Sequence, residues 1–177
     1  EDAYVVRDIE RVLERARQVG AVALVDAYHA FNVVPLSETE QLGPAWDDAF
    51  VTAGGYKYGQ MGEGVCFLRL PPSAEAMRPV YTGWFADFAS LEKPRGKRSV
   101  DRVDYASGGD RFAGATFDPV SLYRARAVLE HFDRFELDAR TLRAISVRQT
   151  SLLVDRLRAA GASIVSPEDA HHRGGFV

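Results

Sequence analysis

The stretch Ala21-Val22-Ala23-Leu24-Val25-Asp26-Ala27-Tyr28-His29 carries the reading of the whole chain. Five apolar residues run without polar alternation and stop at a carboxylate. A strand of that kind is expected to be covered on both faces, as in a parallel sheet with helices on either side. Before it, a helix is predicted over 8–19. Asp8 can cap it, Ile9, Val12, Leu13 and Ala16 share one face, and Gly20 can end it. After it, a turn-rich stretch leads to a second apolar segment at 49–52, which runs into Ala53-Gly54-Gly55-Tyr56-Lys57. A third strand is predicted at 65–70, closed by Pro71-Pro72. Helices alternating with buried strands define an α/β layer structure.

Further along, 72–114 reads as loop, with Lys93, Arg95, Lys97 and Arg98 as a solvated basic cluster. Asp118-Pro119 is a good helix start, and the helix that follows carries Leu122, Leu129 and Phe132 on its apolar side. A longer helix is predicted over 138–160, with Leu142, Ile145, Leu152, Leu153 and Leu157 inward. Ser163-Ile164-Val165 is expected to form one more strand. No internal repeat or low-complexity tract interrupts this order.

Composition narrows the function classes. The chain has 177 residues, 46% hydrophobic and 27% charged, which suits an ordinary globular protein with a core. Its 22 basic and 25 acidic residues give a net charge of -3, without the basic excess of a nucleic-acid binder. No apolar run approaches the roughly 20 residues of a membrane helix, and no signal peptide is expected. A single cysteine, Cys66, excludes an internal disulfide framework and a multi-cysteine zinc site. It is expected to be a buried core thiol, and the chain is expected in the cytoplasm. His131, His171 and His172 are expected to be structural or exposed.

In α/β sheets, functional residues lie beyond the carboxyl ends of the strands. Asp26 and Lys57 both hold such positions. Alone, Asp26 can be a turn former or cap, or a carboxylate that meets a positive charge on a ligand. Lys57, between glycines and flanked by Tyr56 and Tyr58, can be a surface charge or an amine for covalent chemistry. The glycines let a backbone approach a ligand closely. Together, an aspartate ending one strand and an aromatic-lysine pair after the next are the arrangement of pyridoxal phosphate enzymes. In these the lysine binds the aldehyde and the aspartate keeps the pyridine nitrogen protonated.

At these residues the chain resembles the class V aminotransferase family of fold-type I enzymes, and within it the kynureninase branch. The aspartate followed three positions later by histidine, Asp26 and His29, is similar to the kynureninase pattern, as is tyrosine before the lysine, Tyr56 and Lys57. Gly83-Trp84-Phe85 resembles the segment whose tryptophan reaches a cofactor phosphate across a dimer interface. Arg111-Phe112-Ala113-Gly114-Ala115-Thr116 resembles the stretch whose small polar residue serves the neighbouring site. The tail Arg173-Gly174-Gly175-Phe176-Val177 resembles a strand of the small domain.

The resemblance implies pyridoxal 5'-phosphate as cofactor. Lys57 would be its covalent anchor and catalytic base, and Asp26 its pyridine partner. His29, Tyr56, Trp84 and Thr116 would be further cofactor-binding residues. It implies hydrolytic Cβ–Cγ cleavage of a kynurenine-like amino acid, giving alanine and an aromatic acid, in a homodimer with shared sites and no nucleic-acid or membrane partner. Residues 1–115 would belong to the large domain, and 116–177 to a linking helix and the start of the small α+β domain. Family members also carry a phosphate-binding turn and a ring-stacking aromatic before the aspartate strand, and a carboxylate-binding arginine after the final glycine pair. None of these is found here, so the chain is expected to be a piece of a larger enzyme. Two other readings stay open: another class V activity (aminotransferase, desulfurase, lyase or epimerase), and a non-catalytic piece that keeps only a dimer surface. Cys66 gives desulfurase chemistry no support, because that nucleophile is expected on a mobile loop nearer the C-terminus.

Overall fold

A computed structural model describes residues 3–36, 44–92, 104–114 and 116–177. The basic cluster Lys93, Arg95, Lys97 and Arg98 lies outside them, as does Ala115. Contacts divide the chain into two compact units, residues 1–69 with 119–177, and residues 70–118.

The first unit is built on a small mixed sheet. Helix α1 (Ile9–Gln18) leads into strand β1 (Leu24–Asp26), followed by β2 (Phe50–Gly54) and β3 (Cys66–Arg69). β1 and β2 are parallel, with Leu24 opposite Phe50 and Asp26 opposite Thr52. β2 and β3 are antiparallel, with Gly54 opposite Cys66. The expected α/β class is present, but the sheet among the described residues has three strands and is only half parallel. Central β2 is the best-buried strand. Its residues Val51 and Ala53 pack with Ala27 against Phe31, Leu36 and Trp46. Leu13 of α1 joins Ala45 and Ala49 beneath Val25. A third cluster, Met61, Val65 and Ala125, ties the turn after β2 to helix α2 (Val120–Arg134). Helix α3 (Ala139–Ala159) begins at Asp138, whose side chain accepts from the Thr141 N–H at 2.7 Å. The chain ends meet: Val5 N–H donates to the His172 carbonyl (2.8 Å), and Gly174 N–H to that of Ala3 (2.7 Å).

Several expectations are corrected. β1 is not covered on both faces, since Leu24 is 63% exposed; α1 packs over one side only. Cys66 is exposed, not buried, because β3 is an edge strand whose Cys66, Phe67 and Leu68 face solvent. Ser163-Ile164-Val165 forms no strand with any of the described residues. Asp8 makes no side-chain cap. On α2 and α3 the buried positions are small or β-branched, Ala125, Thr150 and Val154. Leu122, Leu129, Ile145, Leu152 and Leu153, expected inward, are exposed. Ala125 packs on Met61 and Val65 of the turn after β2, and the Thr150 hydroxyl accepts from Arg173 Nε at 3.2 Å, so these positions, not the leucines, are the ones covered.

The second unit has no strand among its described residues. It consists of three 3-10 segments, Pro72–Ala76, Trp84–Glu92 and Gly108–Phe112. Arg111 clips it together, pairing with Glu75 at 3.0 Å and donating to the Met77 carbonyl at 3.1 Å.

Candidate functional site

The parallel pairing of β1 and β2 delivers two chain segments to the same edge of the sheet. Asp26 is the last residue of β1, and Ala27 N–H still donates to the Thr52 carbonyl (2.8 Å). The Asp26 side chain turns back on its own segment, with Oδ1 accepting from Tyr28 N–H at 2.9 Å. That local bond shapes the turn carrying His29. Among the described residues no hydrogen bond takes Oδ2, so the carboxylate keeps an oxygen for a ligand.

After β2 the chain makes a second tight turn. Gly55 N–H donates to the Val65 carbonyl (2.8 Å), Met61 N–H to that of Gly55 (2.7 Å), and Gln60 N–H to that of Lys57 (3.1 Å). Gly54 and Gly55 are needed for the close approaches here. A Cβ on Gly54 would lie 2.3 Å from the Tyr28 hydroxyl, and one on Gly55 2.4 Å from Met61 Cβ.

The two turns meet through their side chains. Lys57 Nζ lies 2.5 Å from His29 Nε2. With its ring proton on Nδ1, His29 accepts there from the lysine ammonium; doubly protonated, it would present a like charge. Lys57 Nζ also lies 5.4 Å from the Tyr56 ring centroid, and the Tyr56 and Tyr28 rings are 5.5 Å apart. Burial pushes the Tyr28 phenol up, and nearby Cys66, Tyr56 and Asp26 add to the effect, so its hydroxyl stays a neutral donor. Beside this corner lies a cavity of about 500 Å³, lined by Asp26 and His29 and by apolar groups including Val25, Val33, Trp46 and Phe176. Lys57 is not part of that lining.

Asp26, His29, Tyr56 and Lys57 are thus gathered at one sheet edge. Trp84 and Thr116 belong to the other unit. Trp84 opens the 84–92 segment and is 57% exposed. Thr116 is exposed and lies outside any helix or strand. Missing from the sequence reading was Tyr28, whose ring fills the space above Gly54. The signal was its place between Asp26 and His29. His131 and His171 are exposed, and His172 is half-buried, 3.3 Å from Asp169. No group of His, Cys, Asp and Glu among the described residues could hold a metal.

No family model matches the chain, and no curated protein matches it in sequence. Among solved structures it is similar to the apo structure of a cysteine desulfurase from Thermococcus onnurineus NA1. That match has a TM-score of 0.67 at 18% identity and covers 99% of this chain. At that identity the likeness shows the fold. The chain spans 40% of the length of that enzyme.

Proposed function

We propose that this chain is the lysine-bearing part of a pyridoxal 5'-phosphate enzyme of the class V type, acting on a small amino-acid substrate. One observation carries the reading. Asp26 and Lys57 stand at the carboxyl ends of neighbouring parallel strands, with His29 joining the two turns. The residues fit the cofactor: an amine for its aldehyde, a carboxylate with a free oxygen for its pyridinium, and the half-exposed Tyr56 phenol for its phosphate. When bound, the cofactor supplies an electron sink for the substrate α-carbon.

The chain's own groups would divide the work. Lys57 anchors the aldehyde and, once released, moves the α-proton. Asp26 Oδ2, which takes no hydrogen bond among the described residues, would hold the ring nitrogen as its cation. His29 fixes the position of the Lys57 amine through the 2.5 Å contact at its Nε2. The 500 Å³ cavity beside Asp26 and His29 suits a small ligand.

Within the class, Tyr56 and His29 favour kynureninase-type hydrolysis, whereas the fold neighbour is a cysteine desulfurase. Fold likeness does not choose between chemistries. We take the broader class as the reading. We further propose a homodimer in which Trp84 and Thr116 serve the partner's site, and a small domain beginning near residue 116. The test uses the complete protein. Borohydride reduction followed by mass spectrometry should place a pyridoxyl adduct on Lys57 and none in Lys57→Ala; an adduct on Lys93 or Lys97 instead would overturn the assignment. Products then sort the activities: anthranilate and alanine from kynurenine, alanine and sulfur from cysteine, or a keto acid.

A further inference from the structure

Three guanidinium groups converge on the turn formed by residues 167–173, and among the described residues no carboxylate pairs with them. Arg7 Nη2 donates to the His171 carbonyl at 2.5 Å. Arg143 Nη2 donates to the carbonyls of Ala170 (2.6 Å) and Arg173 (2.8 Å). Arg173, only 2% exposed, reaches the carbonyls of Pro167 (3.0 Å) and Glu168 (2.9 Å) and the hydroxyls of Thr150 (3.2 Å) and Ser151 (2.7 Å). Every one of these acceptors is neutral.

The nearby carboxylates are engaged elsewhere. Glu168 pairs with Arg158. Asp169 accepts from the His171 N–H (2.8 Å) and pairs with His172 Nδ1 (3.3 Å). The His171 N–H holds the Asp169 carboxyl low, with His172, His171 and Arg7 charges assisting, so Asp169 feels Arg7 only at a distance. Two buried donors, Arg7 Nε and Arg143 Nη1, have no partner among the described residues. Burial lowers Arg143, and the charges of Arg173 and Arg7 lower it further. A guanidinium nevertheless keeps its proton under ordinary conditions. Carbonyls alone explain the shape of the turn. They do not explain three clustered cations and two unmet donors, which burial makes costly.

We propose that the Arg7–Arg143–Arg173 cluster is a binding site for a small oxyanion of the phosphate or sulfate type. Planar guanidinium forks match such oxygens in pairs. An anion there neutralises the cluster and meets donors from the 3–9 segment and from α3, against the 167–173 turn. Arg7 and Arg143 are each half-buried, so part of each side chain reaches solvent while the two unmet donor atoms lie beneath the surface. None of the three arginines lines the cavity beside Asp26 and His29, and the proposal does not depend on the proposed cofactor.

The experiment is calorimetric titration of the complete, cofactor-saturated protein with inorganic phosphate, with sulfate, acetate and chloride arms at matched ionic strength. Saturable binding of phosphate and sulfate is expected, with acetate weak and chloride silent. Arg7→Gln and Arg143→Gln should each weaken it roughly tenfold or more, while Arg11→Gln on α1 leaves it unchanged. If Arg143→Gln does not fold, Arg7→Gln, which gives up a single carbonyl bond, decides alone. Absence of saturable binding, or binding that survives the arginine substitutions, overturns the proposal. Saturation by acetate alone also overturns it, since the occupant would then be a carboxylate.

Discussion

Gly55→Ala isolates the packing that holds the Lys57 turn. Gly55 does not have the positive φ that a side chain resists, so the effect is steric. The new Cβ would stand 2.4 Å from Met61 Cβ and 3.2 Å from Val65 Cβ. Neither neighbour can retreat as a flexible chain end would, because both contacts are at Cβ. Gly55 is also pinned on both sides, donating to Val65 and accepting from Met61. Van der Waals contact requires the turn to open by more than an ångström, roughly the overpacking that costs about 2 kcal/mol. For a protein of this size that lowers the melting temperature by about 4–8 °C. The shift also moves Lys57, two residues on, so reducible cofactor attachment should fall with stability. Thermal melts by circular dichroism, with borohydride labelling alongside, measure both. Met61→Gly should be less harmful in the Gly55→Ala background than alone, a coupling of about 1 kcal/mol. A Gly55→Ala protein melting within about 1 °C of wild type, with no such coupling, would refute the reasoning.

Other outcomes follow from the same geometry. Asp26→Ala should weaken cofactor binding and cut turnover by roughly 10² or more, and wild-type turnover would remove Asp26 from the site. The Thr141 N–H holds Asp138 below the usual carboxylate range, so its contribution to α3 is present above about pH 3.9 and lost as the pH falls through its folded value. The gap between wild-type and Asp138→Ala melting temperatures should therefore close on acidification; a gap that widens would contradict the cap. Mixing Lys57→Ala and Trp84→Ala chains should restore activity above either parent if sites are shared, and only the average if Trp84 serves its own chain.

The sequence made the α/β order legible because α1, β1, β2, α2 and α3 are marked by local signals. Apolar runs of strand length and 3.6-residue spacing survive without tertiary context. The proximity of Asp26, His29 and Lys57 was legible too, since strand-end position is itself a local property. Burial was not legible. Which face of α3 turns inward depends on what covers it, and Thr150 and Val154 are buried while Leu152 and Leu153 are not, because Arg173 lies on the Thr150–Ser151 side and bonds both hydroxyls. Cys66 sits in an apolar run, yet an edge strand without a covering layer leaves it open. The Arg7–Arg143–Arg173 cluster joins the chain's two ends, and nothing local announces such a meeting.

The parallel register of β1 and β2 has a kinetic consequence. His29 and Lys57 are separated by 28 residues in sequence and come together only after the intervening chain has closed into a loop. Closure entropy is spent before any contact at the sheet edge repays it. A one-residue slip would shift the Lys57 turn by about 3.3 Å and turn alternate side chains to the wrong face. Helix signals would then return early during refolding, whereas competence to capture an aldehyde would return only with correct strand pairing. The interval between the two measures how long the chain searches for its register.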